Sequence, residues 1–240
     1  MAMIYNAMYH SFMLKTVKNA VYKGLKANSS DCSLHPCVSY NNIIKTLYLQ
    51  RMLAHVQDIP GDVVECGVGK GESLLIFTSL LQATGSKKHV WGFDSFEGFP
   101  EPSKEDDSIR NPKKGEWSDT SLTGVLGMLR EAGFSPLDLR KNVTLVQGFF
   151  NESLSKYRGD TIALLHVDVD LYQSYIDVLS ALYPKVIKGG VVMFDEYMST
   201  GDQLRFPGAQ KAIDEYFGDR VSWIQRDEGM GKYYLIKQED

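Results

Sequence analysis

The segment VVECGVGKGES at 63–73 constrains the fold more than any other part of this sequence. Four residues suited to a buried strand run directly into three closely spaced glycines, and a helical pattern begins at about Glu72. Gly67 lets the chain turn sharply, and Gly69 lets the backbone approach a ligand without an intervening Cβ. The G-x-G-x-G spacing is tighter than the dinucleotide-binding G-x-G-x-x-G and leaves less room for a pyrophosphate. The segment predicts a strand–turn–helix unit, which either binds a nucleotide-like ligand or needs its glycines only for close packing.

Short apolar strands alternate with helices from residue 62 onward. The predicted strands are Val63–Cys66, His89–Phe93, Val143–Val146, Ile162–Val167 and Val191–Phe194, and the predicted helices lie near 72–83, 121–132, 173–183 and 207–217. Such alternation indicates an α/β fold with a parallel sheet covered on both faces. Two further strands, Val221–Gln225 and Lys232–Lys237, flank a turn-rich stretch, and their hairpin makes the sheet mixed at one edge.

Two amphipathic helices are predicted upstream, at 3–27 and 40–55, and Pro60 and Gly61 end the second pattern. We therefore divide the chain into a helical segment, 1–58, and a ligand-binding domain, 59–240. Within that domain the polar segment 98–120 is too long for a plain connection, which is typical of a lid or a mobile binding loop.

The composition excludes several classes of protein. Hydrophobic residues make up 43% and charged residues 23% of the 240 residues, as in globular domains, and the net charge of −4 disfavours a nucleic-acid partner. Three cysteines, an odd number, favour a reducing compartment. The apolar runs fall far short of the ~20 residues that span a bilayer, and no signal peptide is evident. We expect a soluble, cytoplasmic protein without a membrane span.

Polar residues follow the ends of the predicted strands. Asp94 ends the second strand, where an acid accepts hydrogen bonds from ribose hydroxyls in doubly wound sheets, and Glu65 could also face such a ligand. The alternative for Asp94 is a cap on the following turn. Cys32, His35 and Cys37 lie close together, but no fourth ligand is evident and their spacing matches no standard zinc finger.

Four further acids follow two neighbouring strands: Asp168 and Asp170 after one, Asp195 and Glu196 after the other. Because parallel strands place their carboxyl ends at one edge, these carboxylates should gather there, and crowded oxygen ligands suit Mg²⁺ or Ca²⁺. Asp168, Asp195 and Glu196 are the predicted set, whereas Asp170 is better explained as a loop cap. His166, two residues before Asp168 on the same strand face, is either a core histidine or a site residue.

The segments GDVVECGVGKGES, WGFDSFEGFPEPS, LLHVDVDLYQSYIDVLSALYPKVIKGGVVMFDEY and PGAQKAIDEYF together resemble the macrocin O-methyltransferase family. Its members use S-adenosylmethionine, and several methylate sugar hydroxyls of antibiotics such as tylosin and novobiocin. The resemblance spans about 60–217. It implies a Rossmann-like class I methyltransferase, with a seven-stranded, mostly parallel sheet whose last strand is antiparallel, preceded by N-terminal helices.

The resemblance also implies the site. Six residues would surround S-adenosylmethionine: Glu65, Gly67, Gly69, Ser73, Asp94 and Ser95. Asp168, Asp195 and Glu196 would hold Mg²⁺, and Asp168 would be the general base, with His166 or Asp170 as alternatives. The segment 1–58 would shape the acceptor pocket and subunit contacts. Because the amphipathic N-terminal helix must bury its apolar face either on its own core or on a second subunit, we expect a homodimer.

The sequence thus predicts a Mg²⁺-assisted O-methyltransferase acting on a hydroxyl of a sugar or polyhydroxylated natural product. A catechol-like phenol is an alternative acceptor, because it chelates Mg²⁺ through the same vicinal oxygens. Two alternatives come from other classes, an NAD-dependent oxidoreductase and a non-catalytic protein that binds an adenosyl ligand. The glycine spacing counts against the first and the three crowded acids against the second.

Overall fold

The structure is a computed structural model that describes residues 39–198 and 205–239. The predicted helix 3–27 and the Cys32, His35 and Cys37 group lie outside the described residues. Seven helices occur in the described part: α1 (Tyr40–His55), α2 (Glu72–Ala83), α3 (Leu122–Glu131), α4 (Pro136–Asn142), α5 (Phe150–Ser153), α6 (Tyr172–Leu182) and α7 (Pro207–Phe217). The strands are β1 (Asp62–Cys66), β2 (Val90–Asp94), β3 (Val143–Gln147), β4 (Ile162–Val167), β5 (Val186–Phe194), β6 (Ile224–Arg226) and β7 (Tyr233–Ile236).

The seven strands form one sheet in the order β3-β2-β1-β4-β5-β7-β6. The first five are parallel to one another, whereas β7 is antiparallel to both β5 and β6. The predicted mixed sheet with an antiparallel last strand is therefore confirmed. The chain reverses its direction of winding between β1 and β4, and in open α/β sheets ligands bind outside the carboxyl ends of strands at this switch point.

The sheet is buried on both faces, as the apolar strands predict. Val64 and Cys66 of β1 pack into one hydrophobic cluster together with α6 and α7, while Val63 packs into a second cluster with α1, α2 and α3. This division follows from the period of two along a strand. All six residues of β4 are buried, which makes it the central strand of the core. Within the described residues, none of the helices is long and apolar enough to cross a membrane.

Most predicted elements are confirmed to within a few residues, with three differences. Strand β5 begins at Val186 rather than Val191: Lys188 and two glycines interrupt its apolar pattern, and its register with β4 shifts between Val186 and Val191. The tail strand begins later than predicted, at Ile224, after a 3₁₀ turn over Gly218–Trp223. Helices α4 and α5 are short and were not predicted.

Helix α4 did have a signal in the sequence. Ser135 caps its N-terminus by accepting a hydrogen bond from the Asp138 amide at 3.1 Å, and Pro136 occupies the first turn. Serine followed by proline and, three residues on, by an acid is a typical helix start.

We predict that Gly67→Ala severely destabilises the protein and that Gly69→Ala does not. A Cβ on Gly67 would lie 1.7 Å from the carbonyl oxygen of Asp168, in a backbone with φ of +88°. We expect a loss of at least about 3 kcal/mol in the free energy of unfolding, measured by urea denaturation. Gly69 also has positive φ, but a Cβ there would meet no atom within 4 Å, so its cost is the backbone strain of about 1–2 kcal/mol. Equal losses in the two variants would contradict this account.

Candidate active site

A cavity of about 710 Å³ opens at the carboxyl ends of β1, β2 and β4. The predicted ligand-binding turn lies in its wall together with Asp94, Asp168 and Asp170, as the topology requires, whereas Asp195 and Glu196 do not line it. Of the six predicted cofactor residues, five line the cavity and Glu65 does not. The lining includes Lys45, Gly67, Gly69, Ser73, Asp94, Ser95, Trp117, Phe149, Asp168, Asp170 and Gln173.

The carboxylate of Asp94 holds the glycine turn in place. Its Oδ2 accepts a hydrogen bond from the Gly69 amide at 2.8 Å, and its Oδ1 accepts one from the Phe96 amide at 2.7 Å. Each carboxylate oxygen has a second lone pair, so these bonds leave acceptor capacity toward the cavity. The two readings of Asp94, a cap and a ligand-binding acid, are therefore compatible.

Ser95 closes the next turn along the chain. Its hydroxyl donates to the Gly98 carbonyl at 2.9 Å and accepts from the Glu97 amide at 3.1 Å. The side chain thus shapes the edge of the cavity with its hydrogen bonds already made. Ser73, which is buried in the first turn of α2, also lines the cavity.

Glu65 lies beneath the floor of the cavity, paired with a histidine. Its side chain is 1% exposed, and its Oε1 lies 3.0 Å from Nδ1 of His166, which is also buried. The second oxygen, Oε2, finds no hydrogen-bond partner among the described residues. Burial lowers the pKa of His166, but the carboxylates of Glu65, Asp168 and Asp195 outweigh it, so the pKa lies above its usual value.

The acids at the sheet edge form two groups that share Asp168. Ligand atoms of His166, Asp168 and Asp195 lie within 4.8 Å of one another, and so do those of Asp168, Asp170 and Glu196. The predicted set of Asp168, Asp195 and Glu196 is therefore divided between two groups. Asp170, interpreted from the sequence as a loop cap, belongs to the second of them.

The surroundings of these acids shift their pKa values in opposite directions. Burial first, and then the charge of Asp195, raise the pKa of Asp168 to about 7. Burial, together with Asp170 and Asp195, raises the pKa of Glu196 well above its usual value. Asp195 is different: burial alone would raise its pKa, but the Lys232 ammonium at 2.8 Å holds it below the ordinary value. Several buried carboxylates lie here with little positive charge beside them, and a divalent cation would reduce their mutual repulsion.

Two contributions to the cavity were not predicted. Lys45 reaches it from α1, and its Nζ lies 3.0 Å from Oε2 of Glu72. Nothing in the amphipathic pattern of that helix distinguishes this lysine. Phe149 and Phe150 follow β3 at the same sheet edge, and their place after a parallel strand was the available signal.

The segment 98–120 is folded against the cavity and anchored at several points. The Phe99 amide donates to the Glu116 carbonyl at 3.0 Å, and the Gly115 amide donates to the Phe99 carbonyl at 2.9 Å. The Arg110 guanidinium lies 5.8 Å from the ring centroid of Phe99 and 5.1 Å from that of Trp117. Trp117 has a positive φ of 64° and lines the cavity while remaining 49% exposed.

The strand order, the glycine turn and the acids at the carboxyl edge define the class I methyltransferase fold. Within this class the chain belongs to the macrocin-O-methyltransferase (TylF) family, whose sequence profile matches residues 3–220. The resemblance drawn from the motifs is confirmed.

Relatives and solved structures agree with this assignment. The chain is 34% identical over 177 residues to demethyldecarbamoylnovobiocin O-methyltransferase of Streptomyces niveus, covering 71% of this chain and 65% of the relative. It is 33% identical over 173 residues to a tetracenomycin-C 4'-O-methyltransferase of Streptomyces olivaceus acting on a dimethoxy-rhamnosyl derivative, covering 69% and 66%. These matches thus span slightly less than two thirds of each relative.

Two solved structures show the same fold. The O-methyltransferase NovP superposes with a TM-score of 0.69 at 28% identity, covering 82% of this chain and 81% of that one. The calicheamicin methyltransferase CalS11 superposes with a TM-score of 0.71 at 25% identity, covering 82% and 80%.

We predict that Arg110→Ala loosens the segment 98–120 without disturbing the sheet. Loss of the guanidinium removes its contacts with the aromatic rings and its ion pair with Glu116, which is 2.5 Å long. Because one such cation–π contact is worth about 0.5–2 kcal/mol, exchange of the Phe99 and Gly115 amides should accelerate by about tenfold. Hydrogen exchange read by mass spectrometry measures this, with the exposed Lys114→Ala as the matched control. Equal exchange in both variants would show that Arg110 is not an anchor.

Proposed function

We propose that this chain is an S-adenosylmethionine-dependent O-methyltransferase that acts on a hydroxyl of a sugar or similarly polyhydroxylated acceptor. The observation that carries the proposal is that Asp168 faces the same cavity as Gly67, Gly69 and Asp94. A group able to take a proton therefore lies beside a turn suited to an adenosyl ligand. The Streptomyces olivaceus relative is named for a tetracenomycin that carries a dimethoxy-rhamnosyl group, which favours a sugar over a catechol-like phenol.

The lining residues fit the parts of S-adenosylmethionine. Gly69 presents bare backbone to the cavity, in which a Cβ would meet no protein atom within 4 Å. Asp94 has acceptor lone pairs for ribose hydroxyls, and the Lys45 ammonium is a partner for the methionine carboxylate. When bound, this cofactor supplies an activated methyl group, so the protein must align it and free a nucleophilic oxygen.

A divalent cation fits the acidic edge, and Asp168, Asp195 and Glu196 are the residues proposed to hold Mg²⁺. There it would supply positive charge that lowers the pKa of an acceptor hydroxyl. Asp168 is the proposed base because it lines the cavity and belongs to both groups of acids. His166 is a weaker candidate for the base because its Nδ1 already contacts Glu65. Asp170 is also a weaker candidate, because it belongs to only one of the two groups of acids.

Alternatives from other classes receive less support. The turn keeps the tight G-x-G-x-G spacing, which disfavours the pyrophosphate of NAD. A protein that only binds an adenosyl ligand gains nothing from burying several carboxylates beside the cavity, because their desolvation is costly. Closure of 98–120 over the cavity, a homodimer and a cytoplasmic location stay predictions.

The experiment that tests the cofactor is calorimetric titration of the full chain with S-adenosylhomocysteine and, in parallel, with NAD. We expect saturable binding of the first and no heat from the second. Binding of NAD alone would favour the oxidoreductase, and absence of binding to either would contradict the proposed function. With the cofactor established, transfer of a labelled methyl group to glycosides and to catechols distinguishes the two acceptor classes.

We predict that Asp168→Asn abolishes methyl transfer while retaining S-adenosylhomocysteine binding. Loss of a positioned base costs about 10²–10⁴-fold in rate, and asparagine cannot accept the proton. Asp160→Asn is the matched control, since this exposed acid precedes β4 and lies at the opposite end of the same strand. Turnover and calorimetry are measured on both variants. Activity retained by Asp168→Asn would remove Asp168 from the role of base.

A further inference from the structure

We propose that His166 is a nitrogen ligand of the cation at this site, and that the site therefore prefers a transition-metal dication such as Mn²⁺ over Mg²⁺. This inference rests on the proposed function, because it concerns the cation of the same site. It changes the ligand set from three carboxylates to His166, Asp168 and Asp195.

The sheet register places these three residues together. His166 pairs with Glu65 of β1 on one side and with Met193 of β5 on the other. Two residues further along, just past the strand ends, come Asp168 and Asp195, whose amides continue the pairing by donating to the Cys66 and Val167 carbonyls at 3.0 Å. The side chains of His166, Asp168 and Asp195 therefore share one face, with the ring one row below the two carboxylates. Their ligand atoms lie within 4.8 Å of one another.

The histidine ring is held in one orientation by its surroundings. Glu65 contacts Nδ1 at 3.0 Å, and the ring of Phe77 packs edge-on with centroids 5.8 Å apart. A carboxylate on Nδ1 keeps the proton on that nitrogen and leaves the lone pair on Nε2. Carboxylate–histidine–metal arrangements of this kind orient most metal-binding histidines and raise the basicity of the ligating nitrogen.

Asp195 retains a free ligand position despite its ion pair. The Lys232 ammonium contacts Oδ2 and the backbone carbonyl, which leaves Oδ1 for a cation. One imidazole and two carboxylates supply three protein ligands, so further positions stay open for oxygens of an acceptor. Mg²⁺ takes oxygen ligands, whereas imidazole suits later divalent metals and the affinity of mixed sites rises from Mn²⁺ onward.

The second group provides an internal alternative. Asp168, Asp170 and Glu196 offer oxygen alone and would suit Mg²⁺. In that group Glu196 already accepts a hydrogen bond from the Tyr175 hydroxyl at 2.5 Å and contacts the Asp170 amide at 3.4 Å. Both bonds are on Oε2 of Glu196 and leave its Oε1 available. The first group differs in that Glu65 and Phe77 hold the ring of His166 in one orientation, as is typical of a metal-binding histidine. The first group is therefore the one we assign to the cation.

The test is titration of the full chain with MnCl₂ and with MgCl₂, in wild type, His166→Gln and Asp170→Asn. We expect Mn²⁺ to bind wild type at least tenfold more tightly than Mg²⁺. His166→Gln should lose that preference, and Asp170→Asn should keep it. Equal affinity for the two ions, unchanged Mn²⁺ binding in His166→Gln, or a loss confined to Asp170→Asn would each overturn the proposal.

Two readouts keep this test independent of folding and of catalysis. Electron spin-echo spectra of Mn²⁺ bound to wild type should show coupling to an imidazole ¹⁴N, and its absence would overturn the proposal without any variant. S-adenosylhomocysteine titration of each protein then separates the two hypotheses. If the protein binds S-adenosylhomocysteine but shows no ¹⁴N coupling, only the assignment of His166 as a ligand is contradicted. If it does not bind S-adenosylhomocysteine, the proposed function is contradicted.

A further variant tests how His166 is held. Glu65→Gln keeps the size of the side chain but removes the charge that fixes the ring. Loss of such an orienting partner typically costs 10–100-fold in metal affinity. We expect a loss of that size for Mn²⁺ with the ¹⁴N coupling retained, and an unchanged affinity would show that Glu65 does not position this ligand.

Discussion

The close approach of Gly67 to Asp168 is the contact on which the rest of this site depends. The amide of Asp168 donates to the Cys66 carbonyl at 3.0 Å, which continues the pairing of β1 and β4 beyond the strands themselves. The Asp168 carbonyl then occupies the space that a Cβ on residue 67 would need. Because only glycine permits this approach, the ligand-binding turn after β1 and the acidic loop after β4 share one cavity wall. The chemistry proposed here requires that shared wall.

Uncompensated negative charge is the second constraint on the site. Burial makes each carboxylate costly, and the described cations near them are few: Lys232 pairs with Asp195, and Lys45 pairs with Glu72. Asp168 makes no ion pair with any of the described residues, and burial, followed by the charge of Asp195, raises its pKa to about 7. A cation or a proton must neutralise it, so a metal-dependent proton acceptor is a natural use of this arrangement.

The sequence predicted which strands and turns form the site, but it predicted less well which side chains meet there, for physical reasons. Apolar runs identify strands, and parallel strands carry the residues that follow them to one edge, so Asp94 and Asp168 could be placed near the glycine turn. Which acids then meet depends on side-chain directions in the loops after β4 and β5, and no periodicity describes those. Asp170 has a positive φ of 61°, and its carboxylate lies beside those of Asp168 and Glu196. The alternation of a strand does not predict that position. Lys45 comes from a helix remote in sequence, and its contact exists only after the tertiary structure has formed.

Glu65 shows why a buried polar residue can be more informative than an exposed one. It interrupts an otherwise apolar strand, and its Oε2 is buried without a hydrogen bond among the described residues. Such an unpaired group costs about 1–3 kcal/mol, and an apolar pair of similar volume in place of a buried ion pair is often neutral or stabilising. Stability alone therefore does not account for Glu65 and His166. Their geometry does account for them if the carboxylate serves to orient the ring, because the ring lies directly below two acids that need a cation.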